Sequence, residues 1–516
     1  MAKSILCLCL LLLLLFVGSA QATIATNTLL AEAQPDECFA GVGVDYPNGI
    51  AGFNPNSGPP CPEGSQNKTN QTYVWGLTRS GNSLWFGTGA NVVCTTSGAF
   101  LGALDPSASG TFVCEYGDSQ LSRDRGVNPQ RGDWRPPKIY EFDLTTQTLF
   151  DRTPSDPMLK QSMGIRSAGS YDGVVFMAGG SRTGPVIMFA FDANTKEYLG
   201  SSTFGMGNTI RKWLVVNGAL YTGIGTQGQS GSVLRWTGSR SNPFSFVTVG
   251  TVLGVPRELA QYVGGDSQTR IAISGQGVWI SPALNNQGVL PASGAPWNQV
   301  WTPQQYEPDL ITSTTYGGGG TYQFDGWLYW GTVQVPGRAA YQHTQCTFPR
   351  VCFGEPQNSA EQTTLNNGTA RATSLWRARN LEGSPEIQLL YGEAELPKFN
   401  PDTRTFDLTP NVGGYTPLYG SSGFGNRGNY YTWTMKAVNA GLFVGTLDLS
   451  GADLWSFASS SVAAVRENGS GLGDSRNYGI RTMASSEDGN SLFCGMATYS
   501  NLTTGSGWEL RELTFQ

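Results

Sequence analysis

From residue 73 onward, apolar and polar positions alternate in short runs separated by Asn-Gly, Asp-Gly and Ser/Thr-rich reversals. A period of two, carried by aromatic and β-branched residues and bounded by such turns, predicts antiparallel strands and hairpins. The pattern is clearest in residues 477–515, where NYGIRTM, the turn SSEDGN, SLFCGMA, a polar loop and WELRELTF follow one another. They predict a meander of three strands with apolar residues on both faces. Such a unit cannot bury both faces alone, so the chain must supply neighbours for it.

The central strand of that unit reads small residue, Leu or Val, aromatic, any residue, then Gly or another small residue. The same pattern occurs as SLWFG (83–87), VVFMA (174–178), ALYTG (219–223), GVWIS (277–281), WLYWG (327–331), GLFVG (441–445) and SLFCG (491–495). Repeats of several short strands at this spacing are the mark of sheets stacked around an axis. On these repeats the chain resembles the secreted seven-bladed β-propellers, an all-β class. The resemblance implies a signal peptide over 1–22, an extension over 23–72 and a propeller over 73–516. The last repeat is one strand short, and residues 23–30 are expected to complete it, since propellers commonly close by pairing the two termini and so remove an exposed edge. Outer hairpins are clearest at 139–153 and 187–201, and the fourth repeat is the weakest. Three long excursions, 91–137, 336–373 and 392–427, fall on connections that open on one face of such a fold. That face is expected to carry loops, and the opposite face only tight turns.

Residues 1–22 carry Lys3, an apolar run from Ile5 to Val17 and the small-residue site Ala20-Gln21-Ala22, which predicts a secretory leader. No later stretch is apolar enough to span a membrane. The expected protein is therefore extracellular, with no membrane span and a monomeric state. The formal net charge is -6 with 14% charged residues, and removal of Lys3 makes the mature chain one unit more acidic. This offers no basic field for nucleic acid. Cys7 and Cys9 leave with the leader. Of the rest, Cys38 and Cys61, Cys94 and Cys114, and Cys346 and Cys352 are paired by proximity alone among the fifteen connectivities that six cysteines allow. Cys494, within SLFCG, is expected to be a buried free thiol. Sequons stand at Asn67, Asn70, Asn367, Asn468 and Asn501, all in predicted loops, so a glycoprotein is expected.

Candidate chemistry comes from counting back along each repeat. About nine residues before the Leu or Val of the central strands lie Trp75, Arg166, Arg211, Arg270, Gly319, Trp433 and Arg481. These are equivalent places near the start of the innermost strands, hence near the mouth of a central channel. Arginine gives bidentate hydrogen bonds to carboxylate or sulfate, and tryptophan offers a flat wall to a sugar ring. The pattern predicts a site for an anionic or carbohydrate ligand. The alternative is that the arginines are struts between repeats, recurring because the repeat recurs. His343, the single histidine, and Tyr478 are candidate proton-transfer groups for a polysaccharide-degrading enzyme, lyase or glycoside hydrolase, acting on uronate-containing glycans. No Ser-x-Asp-x-Gly-x-x-Trp box, GxSxG elbow, HExxH, phosphate loop or Cys/His spacing is present, so neither a metal nor a cofactor is expected.

Overall fold

The computed structural model describes residues 23–43, 58–117, 127–182, 184–226, 230–290, 296–347 and 351–516. The leader lies outside them. The described chain is mostly β, built of antiparallel meanders of four strands joined by tight reversals. The second meander is typical: Ser167–Tyr171, Val174–Gly180, Val186–Asp192 and Tyr198–Phe204 pair in sequence order. In the last meander Asn477–Ser485, Ser491–Thr498 and Glu509–Phe515 pair in order, and Ile24–Glu32 pairs antiparallel with Glu509–Phe515 as the fourth strand.

The period of two sends alternate residues of a strand into different cores. Val175, Met177, Ile187 and Phe189 pack with Trp85 and Ile139 of the first meander. Phe176, Ala178, Met188 and Ala190, their immediate neighbours in sequence, pack with Ile210, Leu220 and Leu234 of the third. Each such side chain is worth about 1.5–3 kcal/mol when fully buried, and this two-sided demand ties every sheet to two others. The small residue that ends the central motif has a related cause. A Cβ at Gly331 would stand 2.2 Å from the Thr432 side chain, and one at Gly495 would stand 2.5 Å from Val74 Cγ1. Glycine there admits the first strand of the following meander.

The fourth meander corrects the sequence reading. Its strands are Glu258–Val263, Thr269–Ser274, Val278–Ile280 and Asn298–Trp301, so GVWIS supplies the third strand rather than the second. The reversal at residues 264–268 is longer than a two-residue turn, which breaks the nine-residue count.

The long excursions carry structure of their own. Helix Val92–Leu101 lies in the first, helices Arg338–Gln345 and Ser359–Thr369 in the second, and the hairpin Glu395–Asn400 with Thr405–Pro410 in the third. Helix Leu310–Thr315, capped by Asp309, joins them from the connection before the fifth meander. These pieces touch one another and so form one layer over one face. Disulfides Cys38–Cys61, Cys94–Cys114 and Cys346–Cys352 are formed, and Cys494 is free and buried. Closing the Cys94–Cys114 loop contributes roughly 3 kcal/mol in the chain-entropy account.

Two sequons are not accessible. Asn70 is fully buried and donates to Asp36, Glu37. Asn501 is 1% exposed, donates to Asn91 and the Val113 carbonyl, and accepts from the Val113 N–H. Asn67 and Asn367 are exposed, but the first lies in the short strand Gln66–Lys68 and the second on a helix rather than in loops, and Asn468 is partly covered at the end of a strand. Peptide mapping of the protein secreted from a eukaryotic host should find glycan at Asn67 and Asn367 and none at Asn70 or Asn501. Occupancy at either buried residue would contradict this packing.

Beneath the extension lies a buried ionic cluster. Lys68 Nζ is 2.9 Å from Asp133 Oδ1 and 3.1 Å from Glu115 Oε2, while Arg135 contacts Glu37 at 2.7 Å. Asp36, beside them, accepts from the Asn70 N–H at 2.7 Å. Among the described residues carboxylates outnumber cations here, and burial penalises their charge. Burial pushes Asp133 well above the usual carboxylate range, the Lys68 charge opposing and the Glu115 charge adding. Asp36 is pushed up to about 6, by burial first and the Glu37 charge as well, against the Asn70 N–H bond. Both raised values mean that the folded state holds protons the unfolded chain has released. Their contribution is full at acid pH and is lost as pH rises through the folded values. The thermal midpoint should therefore fall between pH 5 and pH 8, and the combined D36N and D133N variant should show a shallower fall. An equally steep profile in that variant would place the dependence elsewhere.

Candidate functional site

The first strands of successive meanders, Gln71–Ser80, Ser167–Tyr171, Thr209–Val216, Glu258–Val263, Gly317–Phe324, Tyr431–Val438 and Asn477–Ser485, lie beside one another in a cycle that returns from the last to the first. Several share a local irregularity. Register shifts fall between Val74 and Gly76, Ile210 and Trp213, Gly318 and Thr321, Thr432 and Thr434, and Ile480 and Thr482. Each is a bulge, an extra residue on one strand that re-aims a side chain. The bulged residues include Trp75, Arg211, Gly319, Trp433 and Arg481. In the second meander Arg166 stands just before its strand, and in the fourth Arg257 does the same.

Of the sequence-predicted set, Trp75, Arg166, Arg211, Trp433, Arg481 and Tyr478 line one cavity of about 680 Å³. It opens under the helical layer, between helix Val92–Leu101 and Arg338. Arg257 joins them and was missed, because the count in the fourth repeat started from its third strand. Arg270 does not join them. It lies in the second strand of that meander and is held by Asp266, Nη2 to Oδ2 at 2.6 Å and Nη1 to Oδ1 at 2.8 Å. His343 is also elsewhere. It is fully buried in a helix, with Nε2 3.1 Å from Asp309 Oδ1 and its ring edge-on to Phe399 and Phe406, and it does not line the cavity.

The four inner arginines have few partners. Arg166 Nη1 donates to Thr209 Oγ1 at 2.9 Å and its guanidinium lies 5.3 Å from the Trp75 ring. Arg481 lies 5.6 Å from the Trp433 ring, and its Nε and Nη2 are buried without a hydrogen bond. The Nε atoms of Arg166 and Arg211 are likewise unbonded. Arg211 is 9% and Arg481 3% exposed. Among the described residues no Asp or Glu lines the cavity, whereas Arg131, Arg182 and Arg338 add to its positive charge. Tyr73, Tyr431 and Tyr478 complete the wall, with Tyr73 edge-on to both Trp75 and Trp433 at 5.9 and 5.8 Å.

Burial and mutual repulsion strain these charges. Arg481 is pushed down to about 9, by burial first and then by Arg211, and Arg257 is pushed down to about 9 by burial, Arg211 and Arg338, the Glu258 charge opposing in both cases. Arg166 moves well below its usual range for the same reasons. Guanidinium remains charged at neutral pH all the same, so the displacement expresses how strongly burial and repulsion disfavour these cations. Tyr431 is pushed up to about 12 and Tyr478 well above its usual value, both by burial, which keeps the phenols protonated. Arrays of this kind can hold an oxyanion against tyrosine and tryptophan faces.

No family model and no curated protein matches the chain. Among solved structures, a chain of the mitotic checkpoint complex aligns over 73% of this chain and 80% of its own at 10% identity and a TM-score of 0.35. Candidate 6-phosphogluconolactonases align similarly. That of Bacteroides fragilis covers 69% of this chain and 83% of its own at 10% identity and TM-score 0.35, and that of Bacteroides uniformis covers 73% and 92% at 8% and 0.34. Likeness at this level does not extend to function. No helix among the described residues is long and apolar enough to cross a membrane.

Proposed function

We propose that the meanders are the seven blades of one closed β-propeller, spanning residues 73–516 and completed by the strand Ile24–Glu32, and that the protein is a secreted glycoprotein binding an anionic glycan at the mouth of its channel. The cycle of first strands and the pairing of the two termini support the architecture. The leader pattern and three disulfides support export to an oxidising compartment.

One observation carries the binding reading. Four largely covered guanidinium groups converge, beside aromatic faces, in a cavity that Arg131, Arg182 and Arg338 make more positive still, and none of the four is in an ion pair among the described residues. A strut would have its partner in the fold, as Arg270 has in Asp266. Among the described residues these arginines have no ion-pair partner, which supports a ligand with carboxylate or sulfate groups in that role, each charge-assisted contact contributing about 1.5–3 kcal/mol. The helical layer narrows access, which suits a chain end or a short oligosaccharide better than the middle of a polymer.

Titration calorimetry with uronate-containing or sulfated oligosaccharides and with neutral ones of equal length tests this. The acidic series should bind and the neutral series should not. Following the same mixtures for new reducing ends and for absorbance of an unsaturated product separates binding from turnover. Turnover would favour the enzymatic alternative, with Tyr478 in the cavity as proton donor and a base other than His343. Equal affinity for neutral and acidic sugars would overturn the anionic reading.

A further inference from the structure

The channel has a second chamber, toward the face without helices. It measures about 530 Å³ and is lined by the later halves of the first strands. Its charged residues are Arg79, Arg211, Lys212, Lys436, Arg481 and one acid, Glu258. Two of the cations are answered: Arg79 Nη2 is 2.5 Å from Glu487 Oε2, and Lys212 Nζ is 3.6 Å from Glu258 Oε2. Lys436 makes no ion pair or hydrogen bond among the described residues, and its Nζ stands 5.7 Å from the centre of the Tyr322 ring. Arg211 and Arg481 line both chambers, with Nε of the first and Nε and Nη2 of the second buried and unbonded.

We propose that this chamber is a second oxyanion site, in which Lys436 and Lys212 bind a carboxylate, sulfate or phosphate group together with the inner sides of Arg211 and Arg481. Lys436 is too enclosed to be fully solvated and too far from any acid to be paired. Burial, and then the neighbouring Lys212 charge, push it down to about 8, and an anion would restore its charge. The lysines offer rotatable point charges, while the shared arginines offer planar forks. The group bound here can be a free small anion or the far end of a ligand held at the mouth.

Labelling of Lys436 by a small amine-acylating reagent, read by peptide mass spectrometry, reports on this chamber alone. With its value near 8, Lys436 should react faster at pH 7 than exposed Lys398. Saturating inorganic sulfate, compared with chloride at equal ionic strength, should raise the Lys436 value by a unit or more and slow its labelling by about tenfold, leaving Lys398 unchanged. K212Q should weaken this protection several-fold. Equal labelling of Lys436 in sulfate and chloride would overturn the proposal, as would protection that K212Q leaves intact.

R257Q removes a cation that lines the mouth and not the second chamber, so protection by sulfate should persist in it and the second site can be judged even if the mouth binds nothing. A sulfated oligosaccharide distinguishes the two sources of the anion. Its protection of Lys436 should weaken in R257Q if one ligand spans both chambers, and stay the same if the second site fills independently. Either result supports the site, and no protection by sulfate or by oligosaccharide overturns it.

Discussion

Replacing Arg211 and Arg481 together by glutamine should weaken binding of an acidic oligosaccharide by more than tenfold, about 1.4 kcal/mol or more, while leaving the thermal midpoint unchanged or raised. Both residues are deeply covered, both carry buried nitrogens without a hydrogen bond, and neither has an ion-pair partner among the described residues. Removing their charge therefore costs the fold no observed hydrogen bond or ion pair and relieves repulsion with Arg166, which both push down, and with Arg257, which Arg211 pushes down. Sites that hold like charges together for a ligand are commonly a burden on stability. If the pair instead braced adjacent sheets, the midpoint would drop by several degrees and binding would be unaffected. That outcome would return them to the role of struts.

The largest loss of stability is expected at the other charged cluster. Lys68 is fully buried between Asp133 and Glu115, with Glu37 at 4.0 Å, and it lies in the strand Gln66–Lys68 that pairs with Glu37–Phe39. K68M keeps most of the volume but takes from the carboxylates one of the two cations that meet them among the described residues. Removing one partner of a buried ion pair typically costs about 3–5 kcal/mol, because the remaining charge is uncompensated. Denaturant or thermal unfolding of K68M should show that loss at pH 8 and a smaller one at pH 5, where Asp36 and Asp133 take up protons. A loss under about 1 kcal/mol at pH 8 would mean that water reaches the cluster.

The two clusters mark what could and could not be read from the chain. The central-strand motif was legible because its glycine and apolar positions answer a local demand: each sheet must be buried on both faces and must admit the next. The inner ring followed by counting, but only where the turn was short. In the fourth meander the count began from the third strand, and the long reversal at 264–268 offset it further, so Arg270 was predicted where Arg257 stands. The bulges at Trp75, Arg211, Trp433 and Arg481 leave no mark in composition, since a bulge is a relation between two strands. His343 was expected in a loop because the excursions read as irregular. Its helix and its bond to Asp309 depend on residues 34 positions away. Asn70 and Asn501 read as sequons, yet tertiary hydrogen bonds use their amides as buried structural groups. The Lys68 cluster was not legible at all, because its members are spread over residues 36–135 and meet only in the fold.

The most direct measurement is a crystal structure of the protein with a short sulfated or uronate-containing oligosaccharide. The account predicts an anionic group within hydrogen-bonding distance of at least two of Arg166, Arg211, Arg257 and Arg481, with a sugar ring against Trp75 or Trp433. The account would be contradicted by a ligand held elsewhere, or by these guanidinium groups turned onto carboxylates of the protein with the cavity left to solvent.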